Sequence, residues 1–221
     1  MKKTSLLKII IFIYTFYCGP TTGAQESSPQ VPSASTKVNI SPHIEQLEIT
    51  TSRGSIIIRR EPNPLHTIPP PFDKTSRPCP PYCIQPISAG KGVQTIGELE
   101  LLEYLQKSAK LNDILIIDTR LAEWHARETI PLAINIPEEL FVNGFDNIAP
   151  TDLGAIKTAK GWDYSNANTL VIFCNGYWSP DSYQTIQFLL SKRYPPEKIK
   201  WYRGGMQAWL SLGLTTVKNA K

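Results

Sequence analysis

Cys174 is the residue whose position in the sequence most favours chemistry. It follows the apolar run 169–173, which is rich in β-favouring residues and predicts a buried strand. Ser179 is a favoured helix N-cap and Pro180 a favoured first helical residue, so we predict that a helix begins there. A thiol below a helix N-terminus faces free backbone N–H groups and the positive end of the helix dipole. We therefore expect Cys174 to be a reactive thiolate.

A short loop joins that strand to that helix. It consists of Asn175, Gly176, Tyr177, Trp178 and Ser179. Two alternatives stay open: an inert, buried Cys174, and aromatic side chains that only pack over the sheet edge.

Asp118 and Arg120 follow a second apolar run, 114–117, which predicts another short buried strand. A carboxylate and a guanidinium at a strand end usually bond backbone groups and orient loops. We assign them structural support, with a catalytic ion pair as the alternative. The three histidines lack the spacing of metal ligands, so the sequence predicts neither a metal site nor a cofactor.

The first 24 residues have the pattern of a cleaved signal peptide. Lysines 2, 3 and 8 precede a short apolar run that is too short to span a bilayer comfortably, and small residues follow it. Cys18 would suit a lipid-anchored signal, but bulky residues precede it. Cleavage leaves 20 basic and 19 acidic side chains, which gives no support to nucleic-acid binding. We expect a periplasmic or secreted protein with no transmembrane helix in the mature chain.

Export changes the interpretation of the cysteines. After cleavage, Cys79, Cys83 and Cys174 remain, an odd number in an oxidising compartment. Cys79 and Cys83 are close in sequence, so they are the predicted disulfide and Cys174 the free thiol. The alternative is that one of the pair resolves a persulfide or disulfide on Cys174.

The rest of the chain divides by composition. Residues 25–42 predict a disordered linker, residues 43–90 a β-hairpin and a proline-rich arm, and residues 91–217 a compact domain. Strands and helices alternate in that domain, which predicts an α/β fold with a central, mostly parallel sheet covered on both faces. Residues 138–168 are an expected insertion, with a helix near 151–160.

Three segments of the domain resemble the rhodanese (sulfurtransferase) family. They are IIDTRLAEWHARETIPLAINIP (116–137), LVIFCNGYWSP (170–180) and YRGGMQAWLSLGL (202–214). The first is similar to the family's Asp-x-Arg strand, the second to its active-site strand and loop, and the third to its late Gly-Gly-x-x-x-Trp signature. The upstream Cys-Pro-Pro-Tyr-Cys resembles the N-terminal extension of exported bacterial members. The resemblance implies a three-layer rhodanese-like fold over residues 94–217.

The resemblance also implies sulfur transfer, with sulfane sulfur carried as a persulfide on Cys174 between a small donor and a thiol acceptor. It further implies that the loop 175–179 binds the substrate: its backbone N–H groups would hold the outer sulfur, and Tyr177 and Trp178 would wall the pocket. Many members have an arginine where this chain has Ser179, and that cation would grip an anionic donor such as thiosulfate. Its absence disfavours thiosulfate and also the phosphatase and arsenate reductase activities of the fold. The alternatives are a thiol redox protein and a non-catalytic binding or sulfur-carrier module, in which the proline-rich arm binds another exported protein.

Overall fold

The computed structural model describes residues 37–75, 77 and 83–218. Nine strands, five α-helices and one 3-10 helix (Pro196–Lys198) are assigned within these residues. The strands are β1 (Leu47–Thr51), β2 (Gly54–Ile58), β3 (Gln94–Thr95), β4 (Ile114–Asp118), β5 (Ile134–Asn135), β6 (Ile156–Thr158), β7 (Gly161–Asp163), β8 (Thr169–Phe173) and β9 (Ile199–Trp201). The helices are α1 (Glu98–Ser108), α2 (Ala122–Arg127), α3 (Glu138–Thr151), α4 (Asp181–Ser191) and α5 (Gly205–Ser211). Among these residues, no helix is both long and apolar enough to cross a membrane.

The central sheet has five strands in the order β3-β9-β8-β4-β5. Every neighbouring pair in it is parallel. The predicted α/β class with a mostly parallel central sheet is therefore confirmed. Because parallel strands end together at one edge, β4 and β8 bring residues 118–120 and Cys174 to the same edge.

Strand β8 divides the core into two layers, since its side chains alternate between the two faces of the sheet. Val171 and Phe173 pack with α1 and α5 on one face. Leu170 and Ile172 pack with α3 and α4 on the other. Both layers are apolar because every central strand is covered on both sides, and this is why the strands are continuous apolar runs.

The segment 138–168 differs from the sequence expectation. The predicted helix near 151–160 is wrong: the helix is α3, which ends at Thr151, and an antiparallel pair of short strands, β6 and β7, follows it. Helix α3 begins with two glutamates that suit a helix N-terminus, and it buries Phe141, Phe145 and Ala149 along one stripe. Gly154 has a φ of 70°, a conformation that disfavours helix continuation after α3.

Strands β1 and β2 form an antiparallel hairpin beside the domain. Ile49 and Ile58 of the hairpin and Phe72 of the arm are almost fully buried in the same core layer as α1 and α5. The hairpin and the described part of the arm thus contribute side chains to one hydrophobic core with the sheet.

Candidate active site

Cys174 lies immediately after β8, at the carboxyl edge of the sheet. Its side chain is 1% exposed. The Sγ atom has polar neighbours: the Oγ atom of Ser182 at 3.0 Å, and the carbonyl oxygens of Ser179 and Gly176 at 3.6 and 3.8 Å. Of the cysteines that the structure describes, Cys174 is the free one.

The expectation of a preformed thiolate at Cys174 is wrong. Burial raises the pKa of the Cys174 thiol, and the carboxylate of Asp181 raises it further. The Ser182 hydroxyl and the backbone N–H groups of Gly176 and Ser182 act in the opposite direction but do not offset the burial. The two carbonyl oxygens also accept from a thiol proton and repel a thiolate. Cys174 therefore rests as a protonated thiol.

The helix after the loop begins one residue later than predicted. Its first residue is Asp181 and its N-cap is Pro180, with no side-chain cap. The hydroxyl of Ser179 donates to the carboxylate of Asp181 instead, and its backbone N–H donates to the carbonyl oxygen of Gly176 at 3.0 Å. Both the hydroxyl and the backbone N–H group of Ser179 are therefore bonded to neighbouring residues. The hydroxyl does not cap α4, and the N–H group is not available to a substrate.

Hydrogen bonds from the start of α5 fix the backbone of Cys174 and the loop that follows it. The N–H groups of Met206 and Gln207 donate to the carbonyl oxygens of Cys174 and Asn175 at 3.1 and 2.8 Å. Gly205 makes this approach possible: its φ is 54°, and a Cβ atom there would lie 2.7 Å from the amide nitrogen of Gly176. The Gly-Gly pair of the late signature is therefore the point where a helix N-terminus meets the cysteine loop.

Acidic side chains lie at the site where the resemblance places a cation. Burial raises the pKa of the Asp181 carboxyl, and Asp118 raises it further. Burial, followed by the charge of Asp181, also raises the pKa of Glu138 at the start of α3. An anion approaching Cys174 would meet this negative charge.

Asp118 and Arg120 form a buried ion pair that ties loops together. Nε and Nη2 of Arg120 donate to the two carboxylate oxygens of Asp118 at 2.8 and 2.6 Å. Thr129 Oγ1 donates to the same carboxylate at 2.8 Å, and His125 Nδ1 lies 3.2 Å from it. Burial would raise the pKa of Asp118, but the hydrogen bonds from His125, Arg120 and Thr129 and the Arg120 charge lower it overall. The pair orients residues 120–135 beside the cysteine loop.

The N-terminal arm covers the outer side of the loop. Trp178 is stacked under the guanidinium of Arg77, whose carbon lies 4.2 Å from the ring centroid. Nη2 of Arg77 also donates to Gln207 Oε1 at 2.6 Å, so the same arginine joins the arm to α5. A cavity of about 460 Å³ lies between the arm and the loop, with Tyr177 and Trp178 on its inner wall.

The structure places some, but not all, of the predicted site residues at one site. Cys174, its loop, Asp118 and Arg120 share one edge of the sheet, whereas Cys79 lies outside the described residues and its pairing with Cys83 stays a prediction. Sequence reasoning missed Asp181 and Ser182. A signal for Ser182 was available, because it shares the buried helix face of Ile186 and Leu189 at i+4 and i+7.

The sheet order, the loop after β8 and the Gly-Gly start of α5 define a rhodanese-like class of domain. The family model for the rhodanese-like domain matches residues 101–212. The chain therefore belongs to the rhodanese-like domain family. No curated protein matches the sequence.

Solved structures with similarity to the chain come from several bacteria. A thiosulfate sulfurtransferase from Pseudomonas aeruginosa is 20% identical, with 61% of this chain and 22% of that chain covered and a TM-score of 0.43. The BH2092 protein from Bacillus halodurans is 17% identical, with coverages of 57% and 77% and a TM-score of 0.42. A rhodanese with anions from E. coli is 22% identical, with coverages of 48% and 98% and a TM-score of 0.32.

Proposed function

We propose that this protein is a sulfurtransferase that carries sulfane sulfur as a persulfide on Cys174. The observation that carries the proposal is the place of Cys174 in a rhodanese-like domain: at the carboxyl end of β8, with its sulfur against the Ser182 hydroxyl. The backbone N–H groups of Gly176 and Ser182 also act to lower the pKa of the Cys174 thiol. A sulfur atom with several donors around it can be stabilised as an anion during the reaction.

The reaction has two half-reactions. In the first, the thiol of Cys174 loses its proton to water and the thiolate attacks the outer sulfur of a donor persulfide, R–S–SH. A bond forms between this sulfur and Cys174, the donor S–S bond breaks, and the donor leaves as a thiolate that takes up a proton. In the second, an acceptor thiolate attacks the outer sulfur of the Cys174 persulfide. The Cys174 thiolate is released, and no net oxidation occurs.

The charges at the site favour an organic persulfide over thiosulfate as the donor. Asp181 is close enough to raise the pKa of Cys174, and it lies two residues beyond Ser179, where a family arginine would grip an anion. Thiosulfate has two negative charges next to its transferable sulfur and would be repelled, whereas the carboxylates of a donor such as glutathione persulfide lie away from the reacting sulfur. Tyr177 and Trp178 line the adjacent cavity and would contact the organic part of the donor.

Transfer of sulfur from glutathione persulfide to a thiol acceptor tests this function. We expect turnover with the wild-type protein and none with Cys174→Ser. The double variant Cys79→Ser, Cys83→Ser tests whether the arm cysteines resolve the intermediate, and we expect it to keep the turnover. Turnover that survives Cys174→Ser would contradict the proposal, and turnover lost only in the double variant would favour a thiol redox protein.

We also propose that the protein is exported, with Cys79 and Cys83 joined in a disulfide. The signal-like residues 1–24 and the odd number of cysteines support this, and the arm could then bind another exported protein. Labelling of thiols in unfolded protein isolated without reductant should modify Cys174 alone. Labelling of all three cysteines would argue against both the disulfide and the oxidising compartment.

A further inference from the structure

We propose that Ser182, held in place by Trp201, is a positioning residue that presents its hydroxyl proton to the sulfur of Cys174. The proposal rests on the proposed function in one respect, that Cys174 reacts as a thiolate. It concerns the three side chains Trp201, Ser182 and Cys174, each of which is 1% exposed.

The direction of the hydrogen bonds follows from the chemistry of the three groups. Trp201 Nε1 lies 3.0 Å from Ser182 Oγ, and an indole nitrogen can only donate. The Ser182 oxygen therefore accepts from Trp201, and its own proton stays available. The Cys174 Sγ atom lies 3.0 Å from the same oxygen. A proton directed along this second contact would stabilise a thiolate or the inner sulfur of a persulfide.

The indole of Trp201 is well suited to hold the hydroxyl in one orientation. Trp201 ends β9, where it is paired in register with Ile172 of β8. Its ring packs in the core layer between the sheet and α4, with the ring of Tyr183 5.9 Å away between centroids. Because the ring is buried and packed on several sides, its N–H group keeps one direction. The Ser182 hydroxyl, which accepts from this N–H group, is therefore held in one orientation.

The Ser182 hydroxyl is needed because several other neighbours of the sulfur oppose its ionisation. The carbonyl oxygens of Ser179 and Gly176 face Sγ, and Asp181 adds a negative charge next to Ser182. Asp118 and Arg120 act on Asp181 from the end of β4 with opposite signs. Loss of the Ser182 proton would leave the Gly176 and Ser182 amides as the remaining donors to the sulfur among the described groups.

The pH dependence of Cys174 alkylation by iodoacetamide tests the proposal. Restricted access to a buried thiol lowers the rate equally at every pH, so the midpoint of the profile reports the thiol pKa alone. Ser182→Ala should raise the midpoint by about one pH unit, which makes alkylation about tenfold slower below the midpoint. Ser182→Thr keeps a hydroxyl and should restore the wild-type midpoint.

Thr185→Val is the matched control. Thr185 is on the same helix, is fully buried, and has a hydroxyl with no hydrogen-bond partner among the described residues. It should leave the midpoint unchanged. Trp201→Phe removes the N–H group and keeps an aromatic ring, and it should raise the midpoint by less than Ser182→Ala.

The proposal is overturned if Ser182→Ala has the wild-type midpoint, or if Thr185→Val raises it as much. Should Ser182→Ala fail to fold, an unchanged midpoint in Trp201→Phe overturns it. These outcomes do not depend on sulfur transfer: a raised midpoint in a protein that forms no persulfide would support the role of Ser182 and refute the proposed function.

Discussion

The backbone N–H of Gln85 donates a hydrogen bond of 2.8 Å to the carbonyl oxygen of Tyr177. A residue of the N-terminal arm is therefore bonded directly to the loop that follows Cys174. Arg203 fixes the same arm segment, since its Nη2 and Nε donate to the carbonyl oxygens of Gln85 and Pro86 at 2.6 and 2.8 Å. Because Cys174 is 1% exposed, we expect the arm to limit the access of a substrate to its sulfur.

Loosening the arm should therefore expose the thiol. Arg203→Ala removes both charged hydrogen bonds to the arm, and we expect alkylation of Cys174 by iodoacetamide to become about tenfold faster. The increase should be equal at every pH, because access changes and the thiol pKa does not. Arg53→Ala, at the exposed turn of the hairpin, is the control. A wild-type rate in Arg203→Ala would mean that the arm does not limit access.

Removal of the Asp181 charge should lower the pKa of the Cys174 thiol and increase its rate of reaction with anions. Asp181→Asn should lower the midpoint of the alkylation profile, because this carboxylate raises the pKa of the thiol. It should also raise the rate with anionic iodoacetate relative to neutral iodoacetamide by about fivefold, as expected for one charge at short range. Asp163→Asn, exposed on β7, serves as the control. An unchanged ratio of the two rates would refute an electrostatic selection against anionic donors.

Breaking the Asp118–Arg120 pair should destabilise the fold. Asp118→Asn leaves Arg120 buried without its full counter-charge, and we expect a loss of about 3–5 kcal/mol in the free energy of unfolding. Urea unfolding at neutral pH measures this. Asp146→Asn breaks an exposed ion pair with Lys157 and should cost less than about 1 kcal/mol. Equal losses in the two variants would contradict a structural role for the buried pair.

The same pair should give an acid-dependent stability. The pKa of Asp118 is lower in the folded protein than its usual value near 4. Its contribution is therefore fully present above that value and is lost as the pH falls through the folded pKa. The wild-type protein should lose more unfolding free energy than Asp118→Asn between pH 5 and pH 2. Parallel losses would show that other groups control acid unfolding.

The sequence predicted the fold well because the strands of a doubly covered sheet are apolar on both faces. The runs that became β4 and β8 are visible for this reason, and they locate Asp118 and Cys174 at one edge. The structure of the segment that contains α3, β6 and β7 was harder to predict. Its apolar residues pack on other helices, and its turns depend on tertiary contacts.

The candidate site was predicted less completely. The position of Cys174 follows from its strand, but its ionisation depends on burial and on Asp181, two facts that arise only when the helix and the arm pack around the loop. We expected the N-terminus of α4 to lower the pKa of the Cys174 thiol. Burial of the thiol has the larger effect and raises the pKa instead. Arg203 bonding to Gln85 joins residues that are 118 positions apart, which no local pattern reveals.

The mass of the intact protein after incubation with glutathione persulfide tests the central claim most directly. We predict a gain of one sulfur atom, located on Cys174 by peptide mapping, removed by a thiol acceptor and absent in Cys174→Ser. Thiosulfate should give a smaller gain in the same time. A folded protein that gains no sulfur from either donor, or gains it on another residue, would contradict persulfide transfer at Cys174.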